Sequence, residues 1–278
     1  MTTTASPLPG FKVLLIGDSG AGKTYSIRTL IEAGLFPICI FTENSFDVLG
    51  DLPPEKIAWR YIPPYSEDFS SLLEMSQRIG TMSFESLTKA QDTKRFNDSP
   101  WMKILHALMS FEDDRTGRKF GNVATWGTDT VLVIDSLSGL TAASRQNVAG
   151  NRPALAPADY GLVQRQIEAL VNQICTAFSC HFVLIAHAER ELDPVFGGSK
   201  VMASTLGKAL APVLPRYFTD NILAKRVGKQ FLWDTADSQS VLKARNVPIA
   251  SDLPPSFVQI LNAWKSRGGI VAPGQKAA

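Results

Sequence analysis

The 278-residue chain is 45% hydrophobic and carries 28 Lys and Arg against 26 Asp and Glu, a formal charge of +2. That supply of apolar side chains supports one large α/β domain or two small ones, and the even balance excludes a polycation, so any nucleic-acid contact has to come from local patches. Cys39, Cys175 and Cys180 lack metal-ligand spacing, the first ten residues are too polar for a signal peptide, and no apolar run approaches the ~20 residues of a membrane span, so the expectation is a cytoplasmic protein with no membrane partner.

Residues 1–10 read as a flexible N-terminus. Phe11–Ile16 is a short strand, apolar but for Lys12. It runs straight into Gly17-Asp18-Ser19-Gly20-Ala21-Gly22-Lys23-Thr24, a complete G-x-x-x-x-G-K-[ST] loop. Such a pattern arises by chance in roughly 1% of chains this long. A helix over 25–33 follows, with Ile27, Leu30 and Ile31 on one face and Gly34 at its end. The next strand is 37–42, ending in Glu43. Residues 51–64 hold four prolines and read as extended, with a short strand at 57–62. Helices are expected at 66–79 and 100–111, separated by a polar irregular stretch and followed by an exposed loop or hairpin over 112–128.

Thr130–Ile134 is the sharpest internal strand, and Asp135 closes it. Residues 139–159 read as a long polar loop and 160–179 as an amphipathic helix. A second fully apolar strand, 181–186, ends at His187, and residues 188–206 read as another loop. A helix is expected at 206–214, strands at 221–227, 230–235 and 240–244, and a last helix at 254–266. The Gly- and Pro-containing segment 267–278 reads as a disordered tail. Alternating strands and helices predict an α/β fold: a mostly parallel twisted sheet with helices on both faces and antiparallel strands at the C-terminal end. The core spans 11–266 as a single domain, with 66–128 as an inserted helical and loop segment.

The loop's chemistry follows from its geometry. Gly17, Gly20 and Gly22 let the backbone curl so that its N–H groups face an anion, and the helix N-terminus adds partial positive charge. Asp18, Ser19, Ala21 and Tyr25 complete the nucleotide-binding set. Lys23 reaches the β- and γ-phosphates, and the Thr24 hydroxyl and Asp135 carboxylate hold Mg²⁺. Glu43, a carboxylate at the end of a strand taken to neighbour the loop, is a candidate to orient the attacking water. His187 is a candidate γ-phosphate sensor. Lys243 and Arg245, two apart on a strand, point to one face, either protecting an edge or reaching into a neighbouring subunit's nucleotide.

Taken together, Gly17–Thr24, Ile40–Asn44, Val131–Ser136, Leu184–His187 and Lys243–Arg245 resemble the RecA-like ATPase core. They are most similar to the short phage-encoded RecA-like proteins that anneal single-stranded DNA. The resemblance implies ATP and Mg²⁺ as cofactors, catalysis by Lys23, Glu43 and His187, and Lys243 and Arg245 acting across a subunit interface. It also implies two DNA-binding loops, at 139–159 and 188–206, where Arg145, Arg152, Arg190 and Lys200 supply charge for phosphates. Single-stranded DNA, further copies in a ring or filament, and a single-strand-binding protein are the implied partners. The departures from RecA favour annealing or loading over strand exchange. The rival readings are a P-loop kinase, with Arg115, Arg118 and Lys119 as a lid, and a nucleotide-gated loader of a replication protein.

Overall fold

A computed structural model describes residues 8–64, 69–83, 85–86, 99–150, 152, 154–192, 199–207 and 209–274. The chain opens with β1 (Lys12–Gly17), a 3-10 turn (Tyr25–Ile27), α1 (Arg28–Glu32), β2 (Phe36–Phe41) and β3 (Ala58–Tyr61). Next come α2 (Phe69–Thr81), α3 (Pro100–Met109), the hairpin strands β4 (Phe111–Glu112) and β5 (Lys119–Gly121), and β6 (Thr130–Asp135). The rest is α4 (Leu137–Ala149), α5 (Pro157–Ala177), β7 (His181–Leu192), β8 (Ser199–Ala203), β9 (Asp220–Val227), β10 (Gln230–Asp234) and α6 (Phe257–Ser266).

The expected α/β architecture holds. The main sheet runs β10-β9-β1-β7-β6-β2-β3, parallel except for β10, with β8 paired antiparallel to the far half of β7. Strands buried on both faces are apolar at most positions, and their alternate side chains feed two cores. Leu14, Ile16, Leu132, Ile134, Phe182 and Leu184 pack under α3, α4 and α5. Val13, Leu15, Val131, Val133, Val183 and Ile185 pack under α1 and α6. No helix among the described residues is long and apolar enough to cross a membrane.

Several expectations change. Residues 139–149 are not a loop but most of α4. Ser136 caps the helix by accepting from the Gly139 N–H, and Leu137, Leu140, Ala143 and Ser144 are buried. Small residues let α4 lie close to the sheet; a Cβ on Gly139 would stand 2.0 Å from the Thr42 hydroxyl oxygen. Helix α5 starts at Pro157, three residues before its expected start. The loop expected from residue 188 is largely a β-hairpin, because β7 continues to Leu192 and β8 returns along it. The described residues of 206–214 do not form the expected helix; a 3-10 turn follows at Leu214–Arg216, its φ preset by Pro215. The strand expected at 240–244 reduces to isolated bridges, Val201 with Ser240 and Asn221 with Lys243.

The segment 66–128 is less an insertion than expected. Trp101, Ile104, Ala107 and Leu108 of α3 enter the core, and the buried Asp113 carboxylate accepts from the Trp59 N–H at 2.9 Å. By contrast α2 leaves Phe69, Leu72, Leu73 and Ile79 exposed. Residues 66–68, the expected start of this helix, lie outside the described residues. The described part of the tail is held and not disordered: Thr128 Oγ1 donates to the Ile270 carbonyl at 2.7 Å and accepts from the Ala272 N–H at 2.9 Å. Gly127 permits this approach, since a Cβ there would meet Ala272 O at 2.2 Å. At the other end, Gly10 N–H donates to Ser179 O and Trp264 Nε1 to Pro9 O, each at 2.9 Å, so the last residues before β1 are held.

Candidate active site

The site forms where β1, β7, β6 and β2 end or pass at one edge of the sheet. Gly17 closes β1 against β9 so tightly that a Cβ would lie 2.4 Å from the Ala224 carbonyl oxygen. Gly20 and Gly22 take φ of +75° and +80°, conformations that L side chains resist, and so turn the loop inward. Lys23 is buried and its Nζ donates to the carbonyls of Gly17 and Asp18, each at 2.8 Å. Burial lowers its pKa, and Asp135, Asp18 and Glu43 oppose that shift.

Thr24 Oγ1 donates to Asp135 Oδ2 at 2.6 Å, across 111 residues of sequence. Ser45 Oγ donates to the same oxygen at 3.2 Å. Burial is the main force raising the Asp135 pKa, and the Thr24 hydrogen bond opposes it. A hydroxyl and a carboxylate are hard oxygen donors, and no group of three His, Cys, Asp or Glu among the described residues makes a self-sufficient metal cage. This fits Mg²⁺, which is commonly held through one or two protein oxygens plus substrate phosphates. Bound there, the ion would neutralise charge on those phosphates.

Glu43 is not on a strand neighbouring the phosphate loop, as expected; β7 and β6 stand between β1 and β2. It reaches the site through side chains instead. Ser136 Oγ donates to Glu43 Oε1, and Oε2 lies 3.1 Å from His187 Nε2. The His187 contact is the largest cause lowering the Glu43 pKa, with Ser136 and Lys23 adding to it and burial opposing. His187 does not end its strand. It sits midway along β7, level with Gly17 in the register, and beyond it the strand swings into the hairpin with β8.

The cations expected to face DNA are placed differently. Arg152 is tied to the protein: it pairs with Asp159 at 2.9 Å and donates to the Ala149 and Val148 carbonyls at the end of α4. Arg190 lies 3.3 Å from Asp18, beside the phosphate loop. Arg145 is exposed on α4, and Lys200 is exposed on β8 opposite Glu191. Lys243 and Arg245 lie toward the opposite edge of the sheet from the phosphate loop. The Lys243 backbone bonds Asn221, three residues before the Ala224 that backs Gly17, and its Nζ donates to the Phe218 carbonyl at 2.6 Å. Arg245 stays exposed. Of the cations expected as a kinase lid, Arg118 and Lys119 are exposed and Arg115 is structural. The Arg115 guanidinium stacks on Trp59 at 3.7 Å and donates to the Leu52 and Ile57 carbonyls.

Ser45 and Ser136 escaped the sequence reading. Ser136 stands one residue before an apolar position, an N-cap signal that a loop reading of 139–159 hides. Ser45 carries no local signal at all.

The AAA domain family matches residues 10–224. No curated protein matches the chain. Among solved structures, a prototypical ATPase from the type III secretion system of pathogenic bacteria is similar at 12% identity. The TM-score is 0.37 over 78% of this chain and 53% of that one, so the chain spans about half that structure's length. With a complete phosphate loop, an acidic strand end bonded to it and a family match over most of its length, the chain belongs to the AAA domain family of P-loop ATPases.

Proposed function

We propose that the protein is a Mg²⁺-dependent ATPase that acts on single-stranded DNA in annealing or recombination, with ATP held between neighbouring copies. The observation that carries hydrolysis is the clasp on Glu43. Its two carboxylate oxygens are engaged by Ser136 and His187, and the adjoining residue of the first, Asp135, is bonded to Thr24 of the phosphate loop. A carboxylate whose pKa is held down is ionised at neutral pH and can accept a hydrogen bond from, and so orient, a water facing the γ-phosphate. Lys23 would exchange its two backbone carbonyls for phosphate oxygens.

Support for a polymer partner comes from β7. One continuous strand carries His187 at the carboxylate and Arg190 three residues later, then turns back through β8 with Lys200. Exposed Arg145 on α4 adds a further phosphate-directed charge. Of the Lys243 and Arg245 pair, we assign Arg245 to the neighbouring subunit's nucleotide, because the Lys243 amine is held by the Phe218 carbonyl of its own chain. The kinase reading is the weaker one, since Arg115 of its expected lid is committed to Trp59.

The test is steady-state ATP hydrolysis with and without single-stranded DNA, paired with electron microscopy of the same mixtures. Stimulated turnover together with ATP-dependent rings or filaments is the expected result. Turnover and assembly that both ignore single-stranded DNA would sink the DNA assignment, and transfer of phosphate to a small acceptor would sink the hydrolase.

A further inference from the structure

We infer that a groove beside the phosphate loop takes the nucleobase by stacking alone, so that the site accepts purine nucleotides with little regard to the groups on the base edge. This assignment rests on Gly17–Thr24 holding the triphosphate. The groove, about 400 Å³, opens between Gly22 and Tyr25 on one side and Phe231, Leu232, Pro254 and Pro255 on the other. Phe231 lies against the loop itself: a Cβ on Gly22 would stand 2.6 Å from its ring. The Tyr25 ring, half exposed at the residue after Thr24, lies 6.2 Å from the Phe231 ring at 42°. Phe231 sits on β10, which pairs with β9 and through it with β1, so the platform is rigidly tied to the phosphate loop.

Ser26, Thr29 and one carboxylate oxygen of Asp252, among the polar groups along this groove, are already engaged. Ser26 Oγ donates to the Lys23 carbonyl at 2.6 Å. Thr29 Oγ1 donates to Ser26 O at 2.8 Å and accepts from the Phe257 N–H at 2.9 Å. Asp252 Oδ1 is paired with Lys225 Nζ at 2.9 Å, and Gln230 stands at the exposed rim. Reading a base edge requires donors and acceptors left waiting for it, and mismatched partners then go unpaired. Aromatic and proline faces make no such demand, because every base presents a π-face. A purine covers more of such a face than a pyrimidine.

The experiment is calorimetric titration of the full chain with ATP, GTP, CTP and inorganic tripolyphosphate, all with Mg²⁺. ATP and GTP are expected to bind within about threefold of each other, with CTP weaker and tripolyphosphate about tenfold weaker than ATP, as a single stacked base implies. Phe231→Leu keeps an apolar side chain against Gly22 and removes the ring; it should erase most of the gap between ATP and tripolyphosphate. Phe231→Tyr should preserve that gap. ATP favoured over GTP by more than about thirtyfold, or a gap that survives Phe231→Leu, would overturn the stacking groove while leaving the phosphate loop intact. Tripolyphosphate binding as tightly as ATP would do the same. Failure of tripolyphosphate and every nucleotide to bind would overturn the phosphate-loop reading as well.

Discussion

Acidification to pH 5 should weaken this fold measurably through His181, at the start of β7. Its ring is fully buried, stacked on Phe11 at 3.9 Å and edge-on to Trp264 at 4.8 Å. Nδ1 accepts the Phe11 N–H at 3.0 Å, which requires that nitrogen to be unprotonated. Burial is the main force lowering its pKa from 6.5 to about 3, with Lys12 and Lys265 adding to it and the Thr128 backbone opposing. The folded-state pKa is therefore below the unfolded one, so between them the unfolded chain binds a proton that the folded chain refuses. The contribution is present in full above about pH 6.5 and is lost as pH falls toward 3. One proton corresponds to about 1.4 kcal/mol per pH unit, so lowering pH from 6.5 to 5 costs about 2 kcal/mol through this ring.

The assay is urea unfolding at pH 7.5 and pH 5.0 for the natural protein and for His181→Asn. Asparagine retains an acceptor for the Phe11 N–H but does not titrate. Subtracting the pH effect in the variant from that in the natural protein isolates the ring, and the difference should be about 2 kcal/mol. Equal pH dependence in both proteins, within about 0.5 kcal/mol, would refute the reasoning whatever the variant's absolute stability.

Glu43→Gln should leave ATP affinity within about threefold while lowering turnover by about 10²–10⁴, read from phosphate release and equilibrium binding on the same preparations. Gly17→Ala should cost about 2 kcal/mol or more, and lower the melting temperature by at least about 4 °C. The added methyl meets a backbone carbonyl that cannot retreat without parting β1 from β9. Arg152→Ala should destabilise by about 1–3 kcal/mol in urea titrations, through loss of the Asp159 pair and two α4 carbonyl bonds, with single-stranded DNA affinity unchanged. Arg145→Ala should do the reverse, weakening DNA binding in a salt-dependent way with stability within about 0.5 kcal/mol.

Much of the scaffold was legible. Strands β1, β2, β6 and β7 announce themselves because burial on both faces forces unbroken apolar runs. Helix α4 stayed hidden because its buried face is made of Leu137, Leu140, Ala143 and Ser144, too small and too polar to show a strong apolar stripe. The β7–β8 hairpin stayed hidden because Glu189, Arg190 and Glu191 look like loop residues. Their strand is held by ladder hydrogen bonds to β8 beyond the main sheet, where polar side chains face solvent. The held part of the tail escaped because it depends on the Thr128 side chain and the space left at Gly127, about 140 residues away in sequence.

By itself the sequence determined the phosphate loop, since eight consecutive residues contain both the backbone freedom of Gly20 and Gly22 and the amine and hydroxyl that the chemistry needs. Tertiary structure decided what surrounds it. Placing β7 and β6 between β1 and β2 brings His187 to Glu43 across 144 residues and Ser136 to Glu43 across 93. It also brings Ser45 to Asp135 and lays Phe231 against Gly22. Such contacts depend on strand order and register, and hydrogen bonding between parallel strands is indifferent to which apolar run lies next to which.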